Sequence, residues 1–122
     1  YINTFLGLTS PVTTDFPEPP ALPVRPPVLC AGCPHRASFY AVKKAMKGKK
    51  TVFCGDIGCY TLGNALPLDM VDTCLCMGAG LNIAQGIEKV EPDTTCFAFV
   101  GDSTFFASAI TGVVMPCTIK RI

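Results

Sequence analysis

The chain has 122 residues, 49% of them apolar, with ten basic and nine acidic side chains giving a net charge of +1, and no tryptophan. That length buries one modest core, so the sequence is one domain or a piece of one, and the apolar content excludes a disordered chain. The near-neutral balance excludes the broad basic face that nucleic acid binding needs.

Residue 1 is Tyr, and no basic stretch leads into an apolar one, which reads as a piece of a longer cytoplasmic chain. Seven of the 11 prolines lie between Pro11 and Pro27, among Thr, Ser, Glu and Ala. Such a segment favours extended polyproline geometry and propagates neither a helix nor a central strand. Residues 1–28 are therefore expected to be a linker from an upstream domain, and residues 29–122 a domain.

From there strand and helix signals alternate. Pro34 suits the first position of a helix whose apolar face is Ala37, Ala41, Val42, Ala45 and Met46, with Gly48 as its stop. The lysines at its end, Lys43, Lys44, Lys47, Lys49 and Lys50, read as a solvated helix terminus rather than a phosphate site. Thr51 to Cys54 is a short β-branched and aromatic run ending at Gly55. Val71 to Met77 is a second candidate strand. After Gly80, Ile83, Ala84, Ile87 and Val90 recur at helical spacing until Pro92. Thr94 to Val100 lacks alternation, which suits a strand buried on both faces, and Phe105 to Val114 follows as helix. Ser103 to Ile119 is uncharged, but Ser, Thr, Gly and Pro116 interrupt it and it falls short of a membrane span, so it is expected to be a core helix. This order predicts an α/β fold with a parallel sheet, in which ligands gather beyond the carboxyl ends of the strands. Three turns lie there: Gly55 to Cys59, Gly78 to Gly80, and Gly101 to Ser103.

Each turn has a plain and a chemical reading. In Gly101-Asp102-Ser103-Thr104, either a side-chain oxygen caps the next helix, or Asp102 binds Mg²⁺ while the N–H groups of the helix start accept a diphosphate. Gly78-Ala79-Gly80-Leu81-Asn82-Ile83 partly matches a dinucleotide fingerprint, but Ile83 stands where its third Gly belongs, so a tight Gly-rich entry to a helix is the better reading. Cys30-Ala31-Gly32-Cys33 has the spacing of soft-metal sites and of redox dithiols. Eight cysteines without the other marks of a small secreted scaffold are expected to be reduced thiols, some of them ligands. His35, the one imidazole, sits beside this pair near a helix start.

Taken together, RPPVLCAGCPHRASFYAVKKA (25–45), GDIGCYTLG (55–63), DTCLCMGAGLNIAQG (72–86) and FVGDSTFF (99–106) come in the order found in the large subunits of indolepyruvate ferredoxin oxidoreductases. The sequence thus resembles the thiamine diphosphate-dependent 2-oxoacid:ferredoxin oxidoreductases over about residues 25–113. The resemblance implies a three-layer parallel-sheet thiamine diphosphate-binding fold, incomplete at its C-terminal end. It implies Asp102 as the Mg²⁺ ligand with Gly101, Ser103 and Thr104 beside the diphosphate, and Ile57, Gly58, Cys59 and Tyr60 lining the cofactor. It offers Cys30, Cys33 and Cys59 as three ligands of a [4Fe–4S] cluster. The reaction implied is oxidative decarboxylation of an aryl 2-oxoacid such as indolepyruvate to an acyl-CoA, with ferredoxin as electron acceptor, coenzyme A as acyl acceptor and a smaller partner subunit in an oligomer.

The match is imperfect. The family phrase FFHSG becomes Phe106-Ala107-Ser108-Ala109, which removes an imidazole, and the Asn expected to complete Mg²⁺ coordination would lie past Ile122. Residues 1–122 are therefore expected to hold half a site and to bind the cofactor weakly or not at all alone. A noncatalytic iron–sulfur or metal-binding electron-transfer module, or an inactive degenerate piece, stand as alternatives.

Overall fold

The computed structural model describes residues 2–9 and 17–118. A short helix α1 (Ile2–Phe5) precedes the prolines and buries none of its residues. Pro17 to Val28 is exposed and has no regular secondary structure, while Pro11 lies outside the described residues. Among the described residues, burial begins at Leu29.

Helix α2 (Pro34–Ala45) starts with Pro34 in its first turn, where the missing N–H costs nothing. Strand β1 (Thr51–Cys54) follows, then a 3₁₀ helix (Cys59–Asn64) and α3 (Ala79–Val90). Strand β2 (Thr95–Ala98) leads into a helical run. That run is a single turn α4 (Asp102–Thr104), a π-helical segment (Phe105–Ala109) and α5 (Ile110–Thr118).

β1 and β2 pair in parallel, in register from Thr51↔Thr95 to Cys54↔Ala98. The architecture is mixed α/β around this small two-stranded sheet. The expected strand at Val71–Met77 is corrected: it contributes one parallel bridge, Cys54↔Thr73. The reason lies in Asp72, whose carboxylate accepts the Phe53 N–H at 2.7 Å. A side chain there takes a position that a strand carbonyl would hold, and Cys74 to Met77 run on exposed toward the next turn.

Two further expectations are corrected. β2 is half-buried rather than covered on both faces. The helical run after it is not a core helix either, since Phe106 is 77% exposed and Ile110, Val113 and Val114 are also exposed. Among the described residues Thr104, Ala109 and Gly112 are buried in it. Among the described residues, no helix is long and apolar enough to cross a membrane.

The core gathers Leu29, Phe39, Leu68, Met70 and Phe99, with Phe53, Tyr60 and Leu62 packed against them. The Phe39 ring contacts Phe99 at 4.5 Å and Tyr60 at 5.4 Å between centroids. It lies flush on Gly63, where an added Cβ would stand 2.2 Å from the ring. α3 packs on both strands, and Gly80 lets it approach so closely that a Cβ there would meet the Gly55 carbonyl oxygen at 2.7 Å. These contacts bring three Gly-rich turns together at the carboxyl ends of the strands.

Candidate functional site

The centre of these turns is Asp56, a residue the sequence did not single out. It is 2% exposed. Its Oδ1 accepts the Gly78 N–H at 3.0 Å and its Oδ2 accepts the Gly101 N–H at 3.0 Å. One carboxylate thus ties the turn after β1 to those that start α3 and α4. Burial pushes its carboxyl upward, and the Thr104 hydroxyl together with the N–H groups of Gly101, Gly78 and Ile57 overcomes this, holding it below the ordinary aspartate value. A charge buried this way is stabilised because each oxygen is hydrogen-bonded.

Thr61 fastens the same turn from the other side. Its hydroxyl donates to the Asp56 carbonyl at 2.8 Å and accepts the Gly58 N–H at 3.1 Å. Gly58 has φ of +142°, a conformation a side chain rarely adopts. Ser108 ties in the helical run by donating to the Met77 carbonyl at 3.2 Å. It belongs to a π-helical segment, a local widening of the kind frequent at functional sites.

Around this centre the expected residues divide. Asp102 is exposed and opens the helical run, directly after Gly101 as its N-cap. Among the described residues its carboxylate has no hydrogen bond or ion pair. The first helical bond of the run is from the Phe105 N–H to the Gly101 carbonyl, at 2.8 Å. The N–H groups of Asp102, Ser103 and Thr104 therefore have no acceptor within the helix. Ser103 is exposed beside them, whereas the buried Thr104 turns its hydroxyl to Asp56 and can offer a ligand its N–H alone. Neither Asp102 nor Ser103 caps the helix by a side-chain bond. A free carboxylate next to free helix-start amides suits a divalent cation carrying a phosphate.

Ile57, Gly58 and Cys59 are exposed on the turn that Asp56 and Thr61 hold. Tyr60 is turned the other way: its ring stacks on Phe99 at 5.6 Å and meets Phe39 and His35 edge-on. Gly78, with φ of +87°, caps α3, so the partial fingerprint is a tight helix entry. Cys30 is exposed, Cys33 half-buried at the α2 N-cap and Cys59 exposed. Among the described residues no three His, Cys, Asp or Glu side chains form a group able to hold a metal, so these three cysteines are not brought together. The Cys33 thiol lies below its ordinary value, first through the Arg36 backbone N–H facing it and then through His35.

Asp56 escaped notice because its partners lie 22 and 45 residues away, beyond any local pattern. A signal existed in the repetition of one dipeptide, since Gly55-Asp56 and Gly101-Asp102 each follow a strand-like run.

The segment that carries these turns is similar to a family of thiamine pyrophosphate-binding domains. Residues 56–114 match the family model "Thiamine pyrophosphate enzyme, C-terminal TPP binding domain". More particularly, the chain is related to the indolepyruvate oxidoreductase subunit IorA. It is 42% identical to that subunit of Methanothermobacter marburgensis over 102 residues, which are 80% of this chain and 16% of the relative. Against the subunit of Archaeoglobus fulgidus it is 44% identical over 75% of this chain and 15% of the relative. Against that of Thermococcus kodakarensis it is 38% identical over 89% of this chain and 20% of the relative. The chain thus spans a fifth or less of the length of these relatives. No solved structure matches it significantly.

Proposed function

We propose that the turns at 55–60 and 101–104 anchor the diphosphate of thiamine diphosphate through Mg²⁺, in an enzyme that oxidatively decarboxylates aryl 2-oxoacids such as indolepyruvate. The observation that carries this reading is the exposed, unpartnered Asp102 carboxylate beside the free amides that open the helical run. Asp102 holds the cation, and the N–H groups of Ser103 and Thr104 face the phosphates. Ile57, Gly58 and Cys59 form the neighbouring wall, and Asp56 positions both turns without touching the ligand.

When bound, the cofactor supplies the carbon nucleophile for decarboxylation. This chain's residues fix its phosphate end. Coenzyme A as acyl acceptor, ferredoxin as electron acceptor and a smaller partner subunit complete the reaction in the assembly. The proposed domain begins at Leu29, where burial begins, with residues 1–28 as its linker. Its two paired strands and the bridge at Thr73 form part of the parallel sheet of a three-layer fold.

Mn²⁺ in place of Mg²⁺ tests this by its paramagnetism. In the presence of thiamine diphosphate it should broaden the amide resonances of Gly101 to Thr104 and Gly58, and Asp102→Asn should abolish the effect. Broadening that survives that substitution, or that centres on other residues, refutes the assignment.

A further inference from the structure

The loop between Leu29 and Arg36 carries chemistry that the cofactor reading does not use. Cys30 and Cys33 close a four-residue turn, in which the Cys33 N–H donates to the Cys30 carbonyl at 3.3 Å and Gly32 takes φ of +67°. A turn of this kind keeps its outer Cα atoms within about 7 Å, the separation a disulfide spans. Cys33 is also the N-cap of the 12-residue α2, whose unsatisfied N–H groups favour a thiolate. Its Sγ stands 3.3 Å from Nδ1 of His35, a base placed to take its proton.

The loop is fastened at both ends. Leu29 is buried in the core, and its carbonyl accepts Arg36 Nη2 at 2.6 Å. Cys30 is exposed and Cys33 half-buried, so an incoming molecule reaches Cys30 the more readily. Among the described residues Cys30, Cys33 and His35 do not form a group able to hold a metal ion. Two thiols at the ends of one turn, with a base on one of them and no grouping able to hold a metal, suit a disulfide better than a metal.

We propose that Cys30 and Cys33 form a thiol–disulfide exchange site that reacts reversibly with low-molecular-weight disulfides. Cys30, its thiol proton released to solvent, attacks one sulfur of the incoming disulfide, forming a mixed disulfide and releasing the first thiolate, which takes up a proton from solvent. The Cys33 thiol passes its proton to His35 Nδ1, and the resulting thiolate attacks the Cys30 sulfur. The Cys30–Cys33 bond forms, the mixed bond breaks and the second small thiolate leaves. Two cysteine thiols are oxidised and one small disulfide is reduced to two thiols.

The test exposes the reduced chain to hydroxyethyl disulfide, quenches with an alkylating reagent and maps the peptides by mass. Cys59, Cys74 and Cys76 are exposed and serve as internal controls. The Cys30–Cys33 link should form about tenfold faster than adducts at the controls. Cys33→Ser should trap the mixed disulfide on Cys30. His35→Phe keeps a ring against Tyr60 and should slow closure about tenfold. Adducts spread evenly over the exposed cysteines would overturn the proposal. So would stoichiometric iron and sulfide in anaerobically isolated protein that are lost in Cys30→Ser, because the pair would then be cluster ligands.

Discussion

Two Gly-Asp dipeptides follow the two paired strands, and the structure gives their carboxylates opposite tasks. Asp102 is exposed and without a partner among the described residues, while Asp56 is buried and holds Gly78 and Gly101. The second task predicts a stability effect separable from ligand binding. Asp56→Ala leaves both glycine N–H groups and the Thr104 hydroxyl without their acceptor, at a cost of about 3 kcal/mol or more. Asp56→Asn keeps the shape but turns an amide donor toward one of those N–H groups, at a cost of about 1.5–3 kcal/mol. The pH dependence has a definite sign. The folded carboxyl lies below its ordinary value of 3.8, so its contribution is fully present above that pH and is lost as the pH falls through the lower, folded value. Urea midpoints of wild type and Asp56→Asn should differ by a constant amount from neutral pH down to about 4 and converge below it. A gap that persisted undiminished in strong acid would mean that the charge of Asp56 is not what holds the turns.

At the scale of elements, the helices were legible because their stops and faces are local. Pro34 opens α2, Pro92 follows the end of α3, and the apolar residues recur at helical spacing within each of the two. The stretch from Val71 to Met77 was misread because β-propensity reports fitness for a pleated surface and not the presence of a partner. The Asp72 side chain already satisfies the Phe53 N–H there. The glycines of α3 allow a sharper test of its seat on the sheet. At Gly80 a Cβ would meet the Gly55 carbonyl oxygen at 2.7 Å, whereas at Gly86 it would meet nothing within 4 Å. Gly80→Ala must push the helix off β1 and should destabilise by about 1–3 kcal/mol. Gly86→Ala, in the same helix and unobstructed, should stabilise by about 0.4–1 kcal/mol. Denaturant midpoints moving in opposite directions would confirm the close approach, and two shifts of the same sign would refute it.

For the molecule as a whole, the sequence indicated which residues are apolar but not how the chain apportions them. The most apolar helical run, after Asp102, stays largely on the surface, while the aromatic core forms from α2, the 3₁₀ helix and the segment after β2. That choice depends on contacts between Phe39, Tyr60 and Phe99, which are distant in the chain. Phe39 is fully buried, stands against both other rings and covers Gly63. It joins the helix that carries Cys33 to the turn that carries Cys59. Truncation to alanine in such a place costs about 3–5 kcal/mol, against a total stability of about 5–15 kcal/mol for a domain. Phe39→Ala should therefore lower the urea midpoint by about a fifth or more and weaken the near-ultraviolet dichroism of the tyrosines, since Tyr60 loses one wall of its packing. Phe39→Leu keeps most of the volume and should fall between the two. If Phe39→Ala unfolds at the wild-type midpoint, this aromatic cluster does not hold the two halves of the chain together, and the alignment of the turns must rest on Asp56 and the α3 contact alone.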